Sequence, residues 1–453
     1  MSCWSKGAIF YHIFPLGFCG APKHNDFVSE TVPRLEKIYK WIEHIKYLGA
    51  DSIYFGPVFE SDSHGYDTVD YFTIDRRLGD NATFARLVDV LHENGIKVVI
   101  DGVFNHVGRN FKAFKDILAN GAQSRYCDWF YELDFNKKSP LNDPFNYSTW
   151  HGFYNLVKLN LKNPEVREYI FRAVAVWISE FDIDGLRLDC ADCLDFDFMS
   201  ELSHFCKGAK ADFWLMGEVI HGDYGRWANI NMIDSVTNYE CYKGLFSSHN
   251  DKNYFEIAYS FNRQFGEEHG IYANLYLYNF ADNHDVNRIG STLKNPAHIY
   301  PLYALLFTMS GIPSIYYGSE WGIKGTKNST DEDLRPEINS IEASLSGHNK
   351  DLERAVSKFA QIRKSSSALM HGRYLQLKVA HEQFAFARMA QDECMIVIVN
   401  SSDKCSYMEI DIPVEGVRAV DILNNNETFE IKENKCRIHD LYPCWARILR
   451  VER

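Results

Sequence analysis

The sequence predicts an α/β fold, a (β/α)8 barrel with a small domain inserted after its third strand and an antiparallel β-sandwich at its C-terminal end. Three observations lead there. A unit of amphipathic helix, glycine and apolar run recurs along most of the chain. The runs total eight and are apolar nearly throughout, as parallel strands covered on both faces must be. Beyond about Gly372 the hydrophobic period changes to two, the signature of half-buried antiparallel strands.

The first strand is "AIFYHIFPL". Ile38, Trp41, Ile42 and Ile45 then share one helix face, Gly49 stops the helix, and "DSIYFGPVF" is the second strand. Phe84, Leu87, Val88 and Leu91 repeat the pattern, with Gly95 as the stop and "IKVVIDGVF" as the third strand. The helix "EVREYIFRAVAVWISEF" leads to the fourth, "IDGLRLD", and "FWLMGEV", "MIDSVTN", "LYLYNFADN" and "IPSIYYG" complete the set. An open doubly wound sheet is the competing arrangement, but its usual G-x-G-x-x-G or P-loop is absent. Between His106 and Asn160 the text turns polar and aromatic, and a structureless loop of that length is uncommon in a compact domain. The expected organisation is therefore a barrel over 1–106 and 161–370, an inserted domain over 107–160, and a sandwich over 371–453 containing "FAFARM", "CMIVIVN", "YMEIDI" and "CWARILRV".

Bulk properties exclude several function classes. A chain of 453 residues exceeds what one core usually serves, and 46% apolar with 24% charged residues is an ordinary globular composition. A net charge of -13 opposes nucleic acid and anionic membranes as partners. No apolar run reaches membrane-spanning length, and the opening "MSCWSKGAIFYHIF" has no signal-peptide pattern. Eleven scattered cysteines fit a reducing cytoplasm, the expected location. Cys190 and Cys193 form a single C-x-x-C without a second pair, which reads as two small buried thiols rather than a zinc site. An aromatic content of 15% fits core packing as well as sugar stacking.

Barrels of this kind carry function at the carboxyl ends of their strands. The third strand ends with Asp101, Asn105 and His106, the fourth with Arg187 and Asp189, the fifth with Glu218, and the seventh with His284 and Asp285. Any one of these reads as a turn former, a cap or a surface pair. Together they crowd like charges into one mouth, which destabilises unless the charges are used. Glycoside hydrolysis needs such a set: one carboxylate attacks the anomeric carbon and a protonated second one serves the leaving oxygen. Asp189 suits the nucleophile, with Arg187 two residues away on the same strand face to aim it. Glu218 suits the acid, with neighbouring negative charge raising its pKa. Asp285 suits hydroxyl binding and stabilisation of a cationic transition state.

"DGVFNH", "GLRLDCAD", "GEV" and "FADNHD" resemble, in order, the four signature segments of the α-amylase family, glycoside hydrolase family 13; "HGYDTVDYF" and "GIPSIYYGSE" are similar to its further segments. The resemblance covers essentially the whole chain. It implies Asp189 as nucleophile, Glu218 as general acid/base and Asp285 as transition-state stabiliser. It also implies Arg187 as the residue orienting the nucleophile, His106 and His284 as sugar-binding histidines, Tyr66 as a stacking platform and Asp101 as a support for Arg187. Asn105 matches a calcium-ligating asparagine of many extracellular members. "VKLNLKNPEVR" and "NGAQSRYCDWF" resemble the neopullulanase and cyclomaltodextrinase branch, whose N-terminal sandwich has no counterpart in this chain. Departures from that branch are Asp192 and Cys193 in place of Asn-Glu, and Ile220 in place of Trp. "STDEDLRPE" resembles a loop that binds distal sugar, with Arg335 as the candidate.

The expected function is retaining hydrolysis of α-glucosidic, mainly α-1,4, bonds in short neutral maltodextrins. A 4-α-glucanotransferase with the same site and a non-catalytic carbohydrate-binding scaffold are the alternatives. An oligosaccharide is the expected partner, the oligomeric state stays open, and neither cofactor nor structural calcium is expected, because Cys193 and Phe196 offer no hard oxygen where calcium-binding members carry a histidine. Trp129, Phe130 and Trp150 of the inserted domain are candidate stacking platforms, with core packing the expected role of at least one of them.

Overall fold

A computed structural model describes residues 4–328, 330–339 and 349–452. Cys3, and Ser329 at the head of "STDEDLRPE", lie outside the described residues. Eight parallel strands form the central sheet: β1 (Phe10–Ile13), β2 (Ser52–Phe55), β3 (Lys97–Gly102), β4 (Gly185–Leu188), β5 (Trp214–Gly217), β6 (Ser235–Val236), β7 (Tyr278–Phe280) and β8 (Ile312–Tyr316). Their hydrogen-bonded order is β6-β5-β4-β3-β2-β1-β8-β7. A parallel bridge from Thr237 to Tyr278, with the Asn238 N–H donating to the Tyr278 carbonyl at 2.9 Å, joins the two edges and closes the barrel. Every residue of these strands except Lys97 is buried, which is why they read as unbroken apolar runs. The barrel interior is a packed core of Phe10, Tyr54, Val99, Trp214, Met216, Tyr278, Phe280 and Ile312, so the bottom is filled and only the carboxyl-terminal mouth is left for chemistry.

The helices follow their sequence signals, with two differences. The segment around Ile38 and Trp41 is a 3-10 helix over Arg34–Trp41 that becomes α-helical only at α1 (Ile42–Tyr47), before Gly49 turns the chain at φ 78°. Helix α2 (Asn81–Glu93) is capped by Asp80, whose side chain accepts from the Thr83 N–H, and α3 (Pro164–Glu180) by Asn163, with Pro164 in its first turn. Helix α4 (Phe196–Ala209) joins β4 to β5. Strict alternation then lapses: β5 and β6 are joined through a single 3-10 turn, Tyr224–Arg226, and two helices, α5 (Tyr239–Asn250) and α6 (Tyr254–Phe265), lie between β6 and β7. Helices α7 (Ile299–Thr308) and α8 (Lys350–Lys364) flank β8.

After β3 the chain leaves the barrel and builds a three-stranded antiparallel sheet from His106–Val107, Thr149–Trp150 and Phe153–Lys158, with a helix over Lys112–Asn120. Its aromatic residues pack mainly on one another, Phe114 against Phe130, Phe145 and Tyr147.

The C-terminal strands are β9 (Arg373–Val379), β10 (Gln383–Met389), β11 (Cys394–Asn400), β12 (Ser406–Asp411), β13 (Arg418–Asp421), β14 (Glu427–Lys432), β15 (Lys435–Leu441) and β16 (Trp445–Glu452). They pair antiparallel in the order β9-β10-β11-β16-β13-β14-β15-β12. Residues alternate along β10 and β11. Phe384, Phe386, Val397 and Val399 pack toward the barrel. Ala385, Ala387, Ile396 and Ile398 face a separate core shared with Met408, Ile410 and Ile438. The sandwich thus buries both faces of its inner strands, and "CMIVIVN" is apolar at six successive positions for that reason.

Candidate active site

Strand geometry brings the charged groups together. Asp101 on β3 and Arg187 on β4 are register partners, so their side chains leave neighbouring strands at one level. Asp189 and Glu218 follow the last residues of β4 and β5, and Asn283, His284 and Asp285 come just past β7. The two aspartates of "DGLRLD" have different environments. Asp184, at the opposite end of β4, takes the Val98 N–H at 2.9 Å and the Lys97 ammonium at 2.9 Å, an anchor for the barrel floor.

Arg187 is the hub. One of its terminal nitrogens donates to Asp101 Oδ1 (2.8 Å) and Asp189 Oδ1 (3.1 Å), and the other lies 2.9 Å from Glu218 Oε2. All four residues are buried. A second chain of contacts runs from Asp101, whose Oδ2 accepts from the hydroxyls of Tyr54 (2.8 Å) and Tyr66 (3.1 Å). The Tyr66 hydroxyl also meets His284 Nε2, which lies 2.8 Å from Asp285 Oδ2. Arg335 donates to Asp285 Oδ1 at 2.9 Å and to the His284 carbonyl at 3.0 Å, and its guanidinium lies over the Phe14 ring. His106 stands on the far side, its Nε2 4.0 Å from Asp189 Oδ2 and its ring 5.8 Å from that of Trp150. The nine residues singled out in the sequence therefore form one connected network.

The electrostatics separate two of the carboxyls. Burial pushes Glu218 up to about 7; the nearby Asp189 and Asp285 charges add to this, while Arg187 opposes it. Burial would also raise Asp285, but His284, Arg335 and Arg187 outweigh it and hold the group well below the usual carboxylate range. The mouth thus holds a carboxyl that is largely protonated just below neutrality beside one that stays ionised. That separation is what acid-assisted displacement requires. Burial lowers His106 below the ordinary histidine value, so its ring is neutral near pH 7.

Several partners were not legible in the sequence. Tyr54 looks like a core strand residue, yet its hydroxyl serves Asp101. The Tyr239 hydroxyl lies 3.4 Å from Glu218 Oε1 and accepts from Asn283 Nδ2 at 3.2 Å, although no motif marks it. The Cys190 N–H donates to Glu218 Oε2 (3.0 Å) and its thiol to Asp189 Oδ2 (3.2 Å). In the "STDEDLRPE" stretch Asp331 pairs with Arg335 at 3.0 Å, while Asp333 takes the Asn328 amide. Among the candidate stacking aromatics, Trp129 and Phe130 are buried, and Trp129 donates to Glu165 of barrel helix α3 at 3.0 Å; they are core, and Trp150 alone of the three stands beside the mouth. Asp192 and Ile220, two of the branch departures, are exposed.

Asn105, the position that the family resemblance associates with calcium, is engaged in local contacts. Its side-chain amide lies 3.2 Å from His106 Nδ1 and its carbonyl accepts from the Leu159 N–H at 2.9 Å. Among the described residues, three potential histidine, cysteine or carboxylate ligands converge only at His106, Asp189 and Cys190, and a sulfur donor is foreign to calcium.

Removing Arg187 tests the hub. Arg187→Met strands three buried carboxyls, and a loss of about 3–5 kcal/mol is expected, the cost of breaking a buried ion pair from one side. The stranded groups take up protons more readily in the folded than in the unfolded chain, so the deficit should shrink as pH falls. Urea denaturation at several pH values measures both effects.

Sequence and structure comparisons agree with this geometry. A profile described as "Alpha amylase, catalytic domain" matches residues 22–385. A cyclomaltodextrinase of Thermoanaerobacter pseudethanolicus is 34% identical over 447 residues, which cover 94% of this chain and 75% of that protein. Neopullulanase 2 of Thermoactinomyces vulgaris is 32% identical over 452 residues, covering 94% and 74%. The solved cyclic alpha-maltosyl-(1→6)-maltose hydrolase of Arthrobacter globiformis superposes with a TM-score of 0.82 at 27% identity, covering 99% of both chains. With its closed parallel barrel, its C-terminal antiparallel sheet and this profile match over most of its length, the chain belongs to the α-amylase family of glycoside hydrolases.

Proposed function

We propose that this protein hydrolyses α-glucosidic bonds, mainly α-1,4, in short maltodextrins with retention of configuration. The observation that carries the reading is Arg187 gripping Asp189 and Glu218 at once while Glu218 is raised to about 7. The Asp189 carboxylate attacks the anomeric carbon as the glycosidic C–O bond breaks, and Glu218 gives its proton to the leaving oxygen. Glu218, now a carboxylate, takes a proton from water, whose oxygen displaces Asp189 from the same carbon. Two inversions return the α-configuration. Asp285, held ionised, faces the positive charge that develops on the sugar. The orphaned, buried Nε2 of His106 can bond a sugar hydroxyl, and Tyr66 and Trp150 offer aromatic faces. None of these steps calls on a metal.

Short or cyclic glucans are favoured by the relatives, whose names include cyclomaltodextrinase and a cyclic maltosyl-maltose hydrolase. A cytoplasmic setting accords with the cysteine content, with a relative named an intracellular maltogenic amylase, and with the lack of any membrane-crossing helix among the described residues. The test is a chromatographic product profile over α-1,4, α-1,6, cyclic and sucrose-type substrates: shorter α-glucans are expected, and longer oligomers from maltotriose would mean transfer instead. The specificity constant on maltotriose or maltotetraose should exceed that on soluble starch at matched bond concentration. A preference for starch would mean a long-chain endo-acting enzyme.

A further inference from the structure

We propose that His106, Asp189 and Cys190 form a site for one thiophilic divalent cation of the Zn2+ class, and that the cation competes with sugar for the barrel mouth. The three ligand atoms, Nε2, Oδ2 and Sγ, all lie within 4.8 Å of one another and all three residues are buried. Cys190 Sγ is 3.2 Å from Asp189 Oδ2, and His106 Nε2 is 4.0 Å from the same oxygen. Tetrahedral zinc with ordinary bond lengths sets its ligand atoms roughly 3.4–3.6 Å apart, so side-chain shifts of less than an ångström close the set.

Independent features favour a cation there. His106 is 2% exposed, yet its Nε2 has no hydrogen-bond partner and is aimed at Asp189. Such an atom wants either a hydroxyl or a metal. The Asn105 amide nitrogen lies 3.2 Å from Nδ1 and holds the ring with its Nε2 edge toward Asp189. Arg187 grips Asp189 through Oδ1, which leaves Oδ2 to the site. The mouth gathers Asp101, Asp189, Glu218 and Asp285 against Arg187 and Arg335, a net negative field. The sulfur decides the class of metal: calcium and magnesium avoid thiolate, whereas zinc and cadmium seek it with imidazole. On binding, the S–H proton leaves to solvent as the metal–sulfur bond forms, so no oxidant or reductant takes part. The neighbouring Cys193 thiol is not part of the three-ligand cluster, so it serves as the control thiol.

The test starts from chelator-treated, folded full-length protein. Calorimetric titration with Zn2+ should show one site per chain, and Cd2+ should produce a cadmium–thiolate ultraviolet band. Cys190→Ala and the more conservative Cys190→Ser should each weaken binding at least about tenfold, the least expected of a ligand when an outer-shell partner already costs as much. They should also erase the band, with folding checked by circular dichroism. Cys193→Ala should leave the band in place. Steady-state inhibition by Zn2+, referred to each variant's own metal-free rate, should raise KM without lowering kcat, and EDTA should reverse it. Unchanged affinity and band in both Cys190 variants, or their loss in Cys193→Ala instead, would overturn the site. Zn2+ that lowers kcat at saturating sugar would overturn the competition. The inhibition and sugar-displacement readings rest on the proposed glucan hydrolysis, but the binding and band do not, so failure of one is distinguishable from failure of the other.

Discussion

Asp189→Asn should lower turnover of maltotriose roughly 10,000-fold, the scale on which loss of a covalent-catalysis residue reads out. The amide is nearly the shape of the carboxylate but is neutral and a poor nucleophile, so the first displacement has no attacking group. The fold should survive. Arg187 keeps its partners Asp101 and Glu218, and the substituted side chain can still accept from Arg187 through its oxygen. Single-turnover kinetics together with urea denaturation check this. A near-normal rate in the folded variant would remove Asp189 from the chemistry, whereas a collapsed denaturation midpoint would show that its charge serves the structure.

Glu218→Gln should cost roughly 100- to 10,000-fold on glucans, the usual span for a general acid. In the native protein Glu218 must be protonated to act, and its pKa is raised to about 7 by burial and by the Asp189 and Asp285 charges. The kcat/KM profile should therefore fall tenfold per unit above about pH 7, since this limb reports the free protein. The glutamine variant should lose that limb. Its first step on an aryl glycoside, whose phenolate departs without a proton, should be slowed far less than on maltotriose. Equal slowing of aryl release in a single turnover would mean that Glu218 is not the acid.

The barrel strands were legible because burial on both faces leaves little but apolar residues in them, and β3, β4, β5 and β7 carried their charged groups at the same end. The carboxylates, histidines and arginines of the mouth could be found because such groups are costly anywhere else in an apolar stretch. Tyr54 and Tyr239 escaped notice for the opposite reason: a tyrosine satisfies core packing through its ring, and nothing local shows where its hydroxyl goes. Helical spacing around Ile38 and Trp41 could not distinguish a 3-10 from an α turn over so short a stretch, and nothing local to β5 or β6 announced the missing helix between them. Trp129 and Phe130 looked available for sugar because their neighbours in sequence are polar; Phe114 of the inserted helix supplies an apolar partner for Phe130, and Tyr169 of barrel helix α3 supplies one for Trp129.

The central claim, direct attack by Asp189 with Glu218 as its acid, fixes the stereochemistry of the first product. It places the two carboxyls about 5–5.5 Å apart, too close for a water between carboxylate and sugar. Proton NMR of product formed within seconds of mixing, before mutarotation, reads the anomeric configuration directly. The α-anomer is predicted to appear first and decay toward equilibrium. Initial β-anomer would mean single displacement by water and would contradict the account.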